Sequence, residues 1–435
     1  MNKEKVESNV CLIKDCGRPI HKETKYCIFH ASAEEKTEKE FEKALKEYIQ
    51  EIKEEDKDYI FRDFIFIGYI EFNNTVFKTD YTSFLGAIFQ GDVAFLAAAF
   101  IGCSLFFGAT FKGDVRFIGA DFQGYADFRE ATFEGAANFW GATFEGAAYF
   151  EEATFKGDAD FRKVKFLLLN NFMGATFEGD ADFGNVIFSP GNKLNLKVRG
   201  GGIIFFKHTF LENVFLDLDL DNGVLIVFTD SLLGNTKAQK KQIENHILQE
   251  KRKEFSQARE VFLLLKNNFH SIGRYDDESW AFKKEKDMER KGSCHFNTLH
   301  KWLWSCFLNA IYGYGEKPER VIVSAIAIII IFAFVFMNFG IDANPQLDTI
   351  PKCNILKELF LGVRYGDLLI RLKDISWEQL KNCLYFSTVT FTTLGYGDFR
   401  PLEGWSRIFA GTEAFIGALM MALFVYTFAR RTGGR

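Results

Sequence analysis

The chain lacks a strong charge of either sign. Of its 435 residues, 53 are Lys or Arg and 58 are Asp or Glu, a net charge of −5, which argues against nucleic-acid binding as its main role. Its eight cysteines are scattered without the spacing of a disulfide framework. The N-terminus, charged from Lys3 onward, lacks the apolar core of a secretory leader, so the N-terminal portion is expected to stay in the cytoplasm. No Ser, His and Asp in triad order, no phosphate loop and no paired carboxylates stand out, and an enzyme is not expected. What the chain has in excess is phenylalanine, 51 residues of it.

Between Phe84 and Phe188 phenylalanines recur at alternating steps of five and six, twenty in succession, and Ala-Thr-Phe is written out five times. The period is eleven, as in Ala126-Asp-Phe-x-x-Ala-Thr-Phe-x-Gly. A helix of eleven-residue period is the rival, but steps of five and six at 100° per residue scatter the rings around a helix, and Gly, Thr and Asp fill the gaps. Short strands with a bend at each block put every Phe inside, with a small residue such as Ala126 or Ala131 two positions earlier. Such repetition announces a solenoid. It resembles the pentapeptide-repeat proteins, whose right-handed quadrilateral β-helix the resemblance implies here, with about 22 residues per coil instead of 20 because every second block is one longer. The domain is expected over 59–235, with strands 202–206 and 216–228 continuing or capping it to about Leu233. Outward charges are mixed, Lys112, Arg116, Arg129, Lys156 and Arg162 among Asp114, Asp121, Glu134 and Asp158. A DNA mimic would be one-sidedly acidic, so an assembly or scaffold surface is expected, its cytoplasmic partner unnamed by the sequence.

Before the repeat, within 1–32, Cys11-x4-Cys16-x10-Cys27-x2-His30 offers four ligands suited to tetrahedral zinc, with Gly17 and Pro19 in the loop. It resembles zinc knuckles of the three-cysteine, one-histidine kind, and a full ligand set implies a structural ion. Residues 33–58 are rich in Glu and Lys with Phe41, Leu45, Tyr48, Ile49 and Ile52 on one helical face, expected to dock or self-associate. After the repeat, 236–297 reads as a helical hairpin around Val261-Phe262-Leu263-Leu264-Leu265 with a break at Gly273; Leu265-Lys266-x-x-Phe269-x-x-x-Gly273-x-Tyr275 is similar to half of a tetratricopeptide-type repeat. Within 298–318, Trp302, Leu303, Cys306, Phe307 and Ala310 are expected on one face of an interfacial helix, followed by a turn at Gly313-Tyr314-Gly315.

Two apolar runs, 320–339 and 406–429, are long enough to cross a membrane. Between them a half-apolar stretch, 377–391, reads as a pore helix leading into 392–398, Thr392-Thr393-Leu394-Gly395-Tyr396-Gly397-Asp398. Glycines at 395 and 397 can take φ > 0 and let consecutive carbonyls face one axis, where they replace the water around a dehydrated cation. This segment resembles the selectivity filter of potassium channels, and Leu384-Tyr385-Phe386-Ser387-Thr388-Val389-Thr390 resembles their pore helices. The resemblance implies a two-transmembrane pore domain over 319–435 with a re-entrant loop, carbonyls of Thr393, Leu394, Gly395 and Tyr396 with Gly397 as the K⁺ sites, and Thr392 and Asp398 as filter support. It departs at Phe386, where relatives carry a bracing Trp. Gly417, twenty residues past Gly397, sits where the family places a hinge, with Met421, Val425, Phe424 and Phe428 as lining; close helix packing is the other reading of this glycine. Glu413, ionisable inside a span, is expected to hydrogen-bond behind the filter.

One filter strand cannot enclose an ion, and a ring of four identical strands can, so a homotetramer in contact with membrane lipid is expected. Neither span carries a regular series of Arg or Lys, and four residues follow Arg431, so regulation is expected from the N-terminal side, with both termini cytoplasmic at the plasma membrane. The expected whole is multidomain, a β-helix and helical hairpin before an all-α pore, conducting K⁺. A nonselective cation channel and a membrane-tethered scaffold with a non-conducting pore are the rivals.

Overall fold

A computed structural model describes residues 10–14, 16–292, 299–343 and 377–432, which belong to two compact units, Met1–Glu289 and Arg290–Arg435. Residues 344–376, which include Cys353, lie outside the described set.

The first unit is a parallel β-solenoid of about eight turns. Its strands are mostly two residues long, as in Thr132–Phe133 and Ala137–Asn138, and each pairs with a strand one coil away. Thr110↔Thr132, Val115↔Ala137 and Asp121↔Thr143 all lie 22 residues apart, the expected coil length; the first coil uses 23, as in Ile65↔Ile88, and so does Ala181↔Ile204, while Ile203↔Leu225 returns to 22. In-register pairing places Phe upon Phe, so ring spacing inherits the strand spacing of about 4.8 Å. On the four sides, Phe106–Phe128, Phe111–Phe133, Phe117–Phe139 and Phe122–Phe144 stack at 4.8, 5.0, 5.0 and 4.6 Å. Within a coil some rings meet edge-on, as in Phe117–Phe128 at 5.5 Å and 81°, which pairs positive edge with negative face, and others are tilted, as in Phe117–Phe122 at 51°. Ala109, Ala131 and Ala142 fill the slots two positions before. At one corner the coils approach too closely for a side chain: a Cβ on Gly146 would sit 2.2 Å from the Gly124 carbonyl oxygen.

The quadrilateral does not persist. From Lys193–Val198 onward two sides merge into six-residue strands, continued by Phe215–Leu220. Here Phe gives way to alternating Leu194, Leu196 and Val198, all buried, a period-two pattern that keeps the strand straight.

Both ends of the solenoid are covered. At the first coil, α1 (Glu38–Glu55) starts at a Thr37 capping box. It packs Phe41 on Phe66 and Tyr48 on Phe61, and Tyr48 donates to the Ile60 carbonyl at 2.8 Å. The face expected to dock therefore docks on its own chain. At the other end come α2 (Lys240–Ile243), α3 (Leu248–Lys251) and the expected hairpin, α4 (Phe255–Ser271) and α5 (Tyr275–Gly292). Phe262, Leu265 and Phe269 join the same core, and buried Asn268 exchanges two 2.9 Å hydrogen bonds with the Thr236 backbone.

The second unit holds α6 (Leu299–Tyr312), α7 (Pro318–Phe339), α8 (Trp377–Phe391) and α9 (Trp405–Thr432). Gly313–Gly315 is a 3-10 turn, with Tyr314 buried at φ 61° and hydrogen-bonded to Ser305 at 2.7 Å. The exposed face of α6 differs from expectation. Leu303, Trp304 and Phe307 are exposed, Trp304 stacking on Phe307 at 5.4 Å, while Trp302 and Cys306 are half-buried. Arg320 of α7 donates to the Asn309 carbonyl at 2.6 Å, which ties the two helices together.

Candidate functional site

The helices α7 and α9 have mean hydropathies of 2.8 and 2.0 over their apolar windows, of which only 22% and 17% is buried. Helices so apolar and so exposed are not the core of a soluble protein; they belong in a membrane. Between them α8 packs on both.

The end of α8 launches the pore loop. Leu394 N–H bonds the Val389 carbonyl and Thr393 N–H bonds the Thr390 carbonyl, both at 3.1 Å, the paired bonds of a Schellman motif with Thr393 as its left-handed residue at φ 55°. Glycine usually fills that position. A β-branched Thr there is strained, and strain of this kind persists where the surroundings over-determine it. Gly395 and Gly397 follow at φ 56° and 79°, the left-handed conformations anticipated for them. From Thr393 to Asp398 the loop is exposed in the single chain, Leu394 at 59% and Tyr396 at 68%. Behind it a cavity of about 240 Å³ is lined by Tyr385, Val389, Thr390 and Ala414, among others.

Three supports hold the loop. Tyr385 and Asp398 line the same cavity behind the loop and the Tyr385 ring lies 5.9 Å from Phe399, whereas Phe386 turns away and packs edge-on against Phe336 at 4.8 Å. Sequence reasoning missed Tyr385, although a phenol one residue before the missing indole was the available signal. The exit of the loop is pinned by a two-stranded antiparallel sheet, Ile341–Ala343 with Phe399–Pro401, closed by the Arg400–Asp342 pair at 3.0 Å. Behind the loop Ser387, on α8, hydrogen-bonds to Glu413 of α9 and to the Ile329 carbonyl of α7, the latter at 2.9 Å. Glu413 is fully buried, so one serine joins three helices through it.

Gly417 lies directly under the end of α8. A Cβ there would stand 1.9 Å from the Phe391 carbonyl oxygen, which gives this glycine a packing role. Met421, Val425 and Phe428, the expected lining, are exposed along α9, while Phe424 is half-buried beside Phe428.

The structure also gathers Cys11, Cys16, Cys27 and His30, their ligand atoms all within 4.8 Å of one another. This cluster can hold a metal ion. His30 Nε2 lies 3.0 Å from the Arg62 carbonyl; a carbonyl only accepts, so Nε2 carries the proton and Nδ1 faces the sulfurs. Burial lowers the imidazole pKa, favouring the neutral, ligating form. Burial also pushes the Cys27 thiol up to about 12, so a bound ion would have to displace its proton. Buried Lys36, brought down to about 8 by desolvation, donates to the carbonyls of Ile28 and Ile65 at 2.9 and 2.6 Å.

Comparison with known families agrees with this division. Residues 359–433 match a family described as ion channel, and residues 97–143 and 139–187 match pentapeptide repeats. Searches of curated proteins and of solved structures return no match. The chain therefore joins a pentapeptide-repeat β-helix to a C-terminal segment that is similar to ion-channel domains and carries two helices long and apolar enough to cross a membrane.

Proposed function

We propose that this chain forms a homotetrameric, potassium-selective channel in the plasma membrane, with both termini cytoplasmic, and that the cysteine and histidine cluster holds one structural Zn²⁺. The observation that carries the reading is the loop from Thr393 to Asp398. It leaves the helix at a left-handed Thr393, places both glycines at positive φ and remains exposed in a single chain. Non-helical backbone at membrane depth is tolerated only where protein covers it or water lines it, and three further copies supply that cover. The carbonyls of Thr393, Leu394, Gly395 and Tyr396 then replace the hydration shell of K⁺, and conduction is passive. Met421 and Val425 line the way in below the filter, and lipid contacts the outer faces of α7 and α9. Nothing in this reading calls for nucleic acid, and the β-helix serves assembly or regulation.

Recordings in liposomes with K⁺ on one side and Na⁺ on the other test it. Reversal potentials should follow K⁺, and Tyr396→Asp should weaken that preference. Equal permeability of the two ions in the unaltered protein would refute the filter assignment.

A further inference from the structure

Residues 11–30 form no helix or regular strand; among the described residues their backbone makes one isolated bridge, Val10↔Pro19. Yet this segment is half-buried to buried at most of its chemistry-bearing positions and lies against the first coil. The Ile65 N–H, which begins a strand of that coil, donates to the Phe29 carbonyl at 2.8 Å. The Phe29 ring stacks on Phe64 at 4.5 Å and 6°. Phe64 occupies the slot that later coils fill with Ala87 and Ala109, so the first coil is built to receive a ring from outside the repeat. The segment holds itself only by turns, such as Cys11 N–H to the Arg18 carbonyl and His21 N–H to the Tyr26 carbonyl, and leans on the first coil for the rest.

We propose that the ion bound by Cys11, Cys16, Cys27 and His30 is the clasp that holds this N-terminal cap on the β-helix, an inference that rests on the zinc reading above and adds its purpose. The separations fit a tetrahedral ion. Zinc–sulfur bonds of about 2.3 Å and zinc–nitrogen bonds of about 2.0 Å place two sulfurs about 3.8 Å apart and a sulfur and nitrogen about 3.5 Å apart. Cys16 Sγ and Cys27 Sγ are 3.7 Å apart, and His30 Nδ1 is 3.4, 3.5 and 3.1 Å from the sulfurs of Cys11, Cys16 and Cys27.

Two links carry the ion's hold into the fold. His30 reaches the Arg62 carbonyl through its other nitrogen, and outer bonds of this kind orient metal ligands. Arg62 precedes the Ile65–Phe66 strand, so the ligand is tied to the first coil itself. Arg18 approaches Cys16 Sγ at 3.8 Å while its guanidinium lies over the Tyr48 ring of α1 at 4.3 Å, joining the cluster to the cap helix. Solenoid ends need such covers, because an open end presents unpaired strand edges.

The test uses the purified full-length protein. Elemental analysis should find one Zn²⁺ per chain, and Co²⁺ exchanged into the site should give the visible bands of a tetrahedral thiolate complex. On chelation, amide hydrogen exchange at Ile65 and Phe61 should accelerate at least tenfold, with exchange at Phe133 and Phe155 in the middle coils unchanged. Cys27→Ser should lose the metal, and Cys103→Ser, outside the cluster, should keep it; should Cys27→Ser fail to fold, chelation of the unaltered protein decides. Absence of metal, or a Cys16–Cys27 disulfide seen as a loss of two mass units, overturns the zinc reading and the clasp with it. Bound zinc whose removal leaves first-coil exchange unchanged overturns the clasp alone.

Discussion

In the β-helix a residue finds its partner 22 positions away in the same chain, and the partner is usually the same residue: Phe128 stacks on Phe106 and Phe150 at 4.8 and 5.0 Å. In the pore unit the segment with the most distinctive sequence, Thr393 to Asp398, is the one left exposed. The first region closes its backbone hydrogen bonds internally, coil upon coil. The second contains an unfinished surface. The difference teaches where each region's specificity lies, in repetition along one chain for the β-helix and, in the channel proposed above, in repetition across chains for the pore. A change in one region should therefore leave the other's signature intact.

The largest effect should follow from Phe128→Ala. The ring is fully buried and contacts rings on every side, and such truncations cost about 3–5 kcal/mol. Calorimetry should show the β-helix transition lowered while ion selectivity is unchanged; loss of selectivity would break the separation between the regions.

Gly417→Ala strikes the other region. With 1.9 Å between the new Cβ and the Phe391 carbonyl oxygen, α9 must move away from the end of α8, an overpacking cost of about 1–3 kcal/mol. Open probability should fall roughly tenfold or more, the equivalent of about 1.4 kcal/mol, with the β-helix transition unmoved. Single-channel records with unchanged open probability would mean that the helices part at little cost.

A smaller effect is expected at Glu413. Glu413→Ala removes the partner of Ser387 from a buried site and should destabilise the pore by about 1–3 kcal/mol, read as faster loss of K⁺ current on warming. Glu413→Gln retains a group that can bond Ser387 and should stay near the unaltered protein. The two variants behaving alike would remove Glu413 from the support of the filter.

The smallest is Lys156→Ala. Its pair with Glu134 spans one coil on the outside of the β-helix at 3.2 Å, with both side chains exposed. Exposed pairs contribute less than about 1 kcal/mol, so neither the β-helix melting temperature nor the current should move measurably; a large loss would mark that face as an interface.

Much of this was legible from residue order alone, for reasons that differ by element. Phenylalanine spacing predicted the coil length because the period is local and every coil repeats it. Spacing also predicted that Cys11, Cys16, Cys27 and His30 come together, since they lie within one short segment. The merging of two sides at Lys193–Val198 was written in its alternating Leu, Leu and Val but was overshadowed by the Phe rhythm. The target of α1 was hidden, because an amphipathic face announces that it is buried and not against what. Tyr385, the sheet of Ile341–Ala343 with Phe399–Pro401, and the seat of Gly417 under Phe391 were illegible for a stronger reason. Each depends on contacts across 14 to 58 positions that no local pattern records. Trp302 and Cys306, expected on the face of α6 with Leu303 and Phe307, are half-buried, and the Arg320–Asn309 tie comes from the next helix, which no local pattern records.

The central claim is that the β-helix is complete within one chain and the pore is completed by other copies. The native mass of the purified full-length protein, in a detergent that preserves the membrane unit, tests it most directly. With 49.9 kDa per chain, four copies give about 200 kDa, and Phe128→Ala should leave that mass unchanged because in the proposed channel the pore, and not the β-helix, calls for four chains. A particle of a single chain that still conducts K⁺ selectively in liposomes would contradict the account.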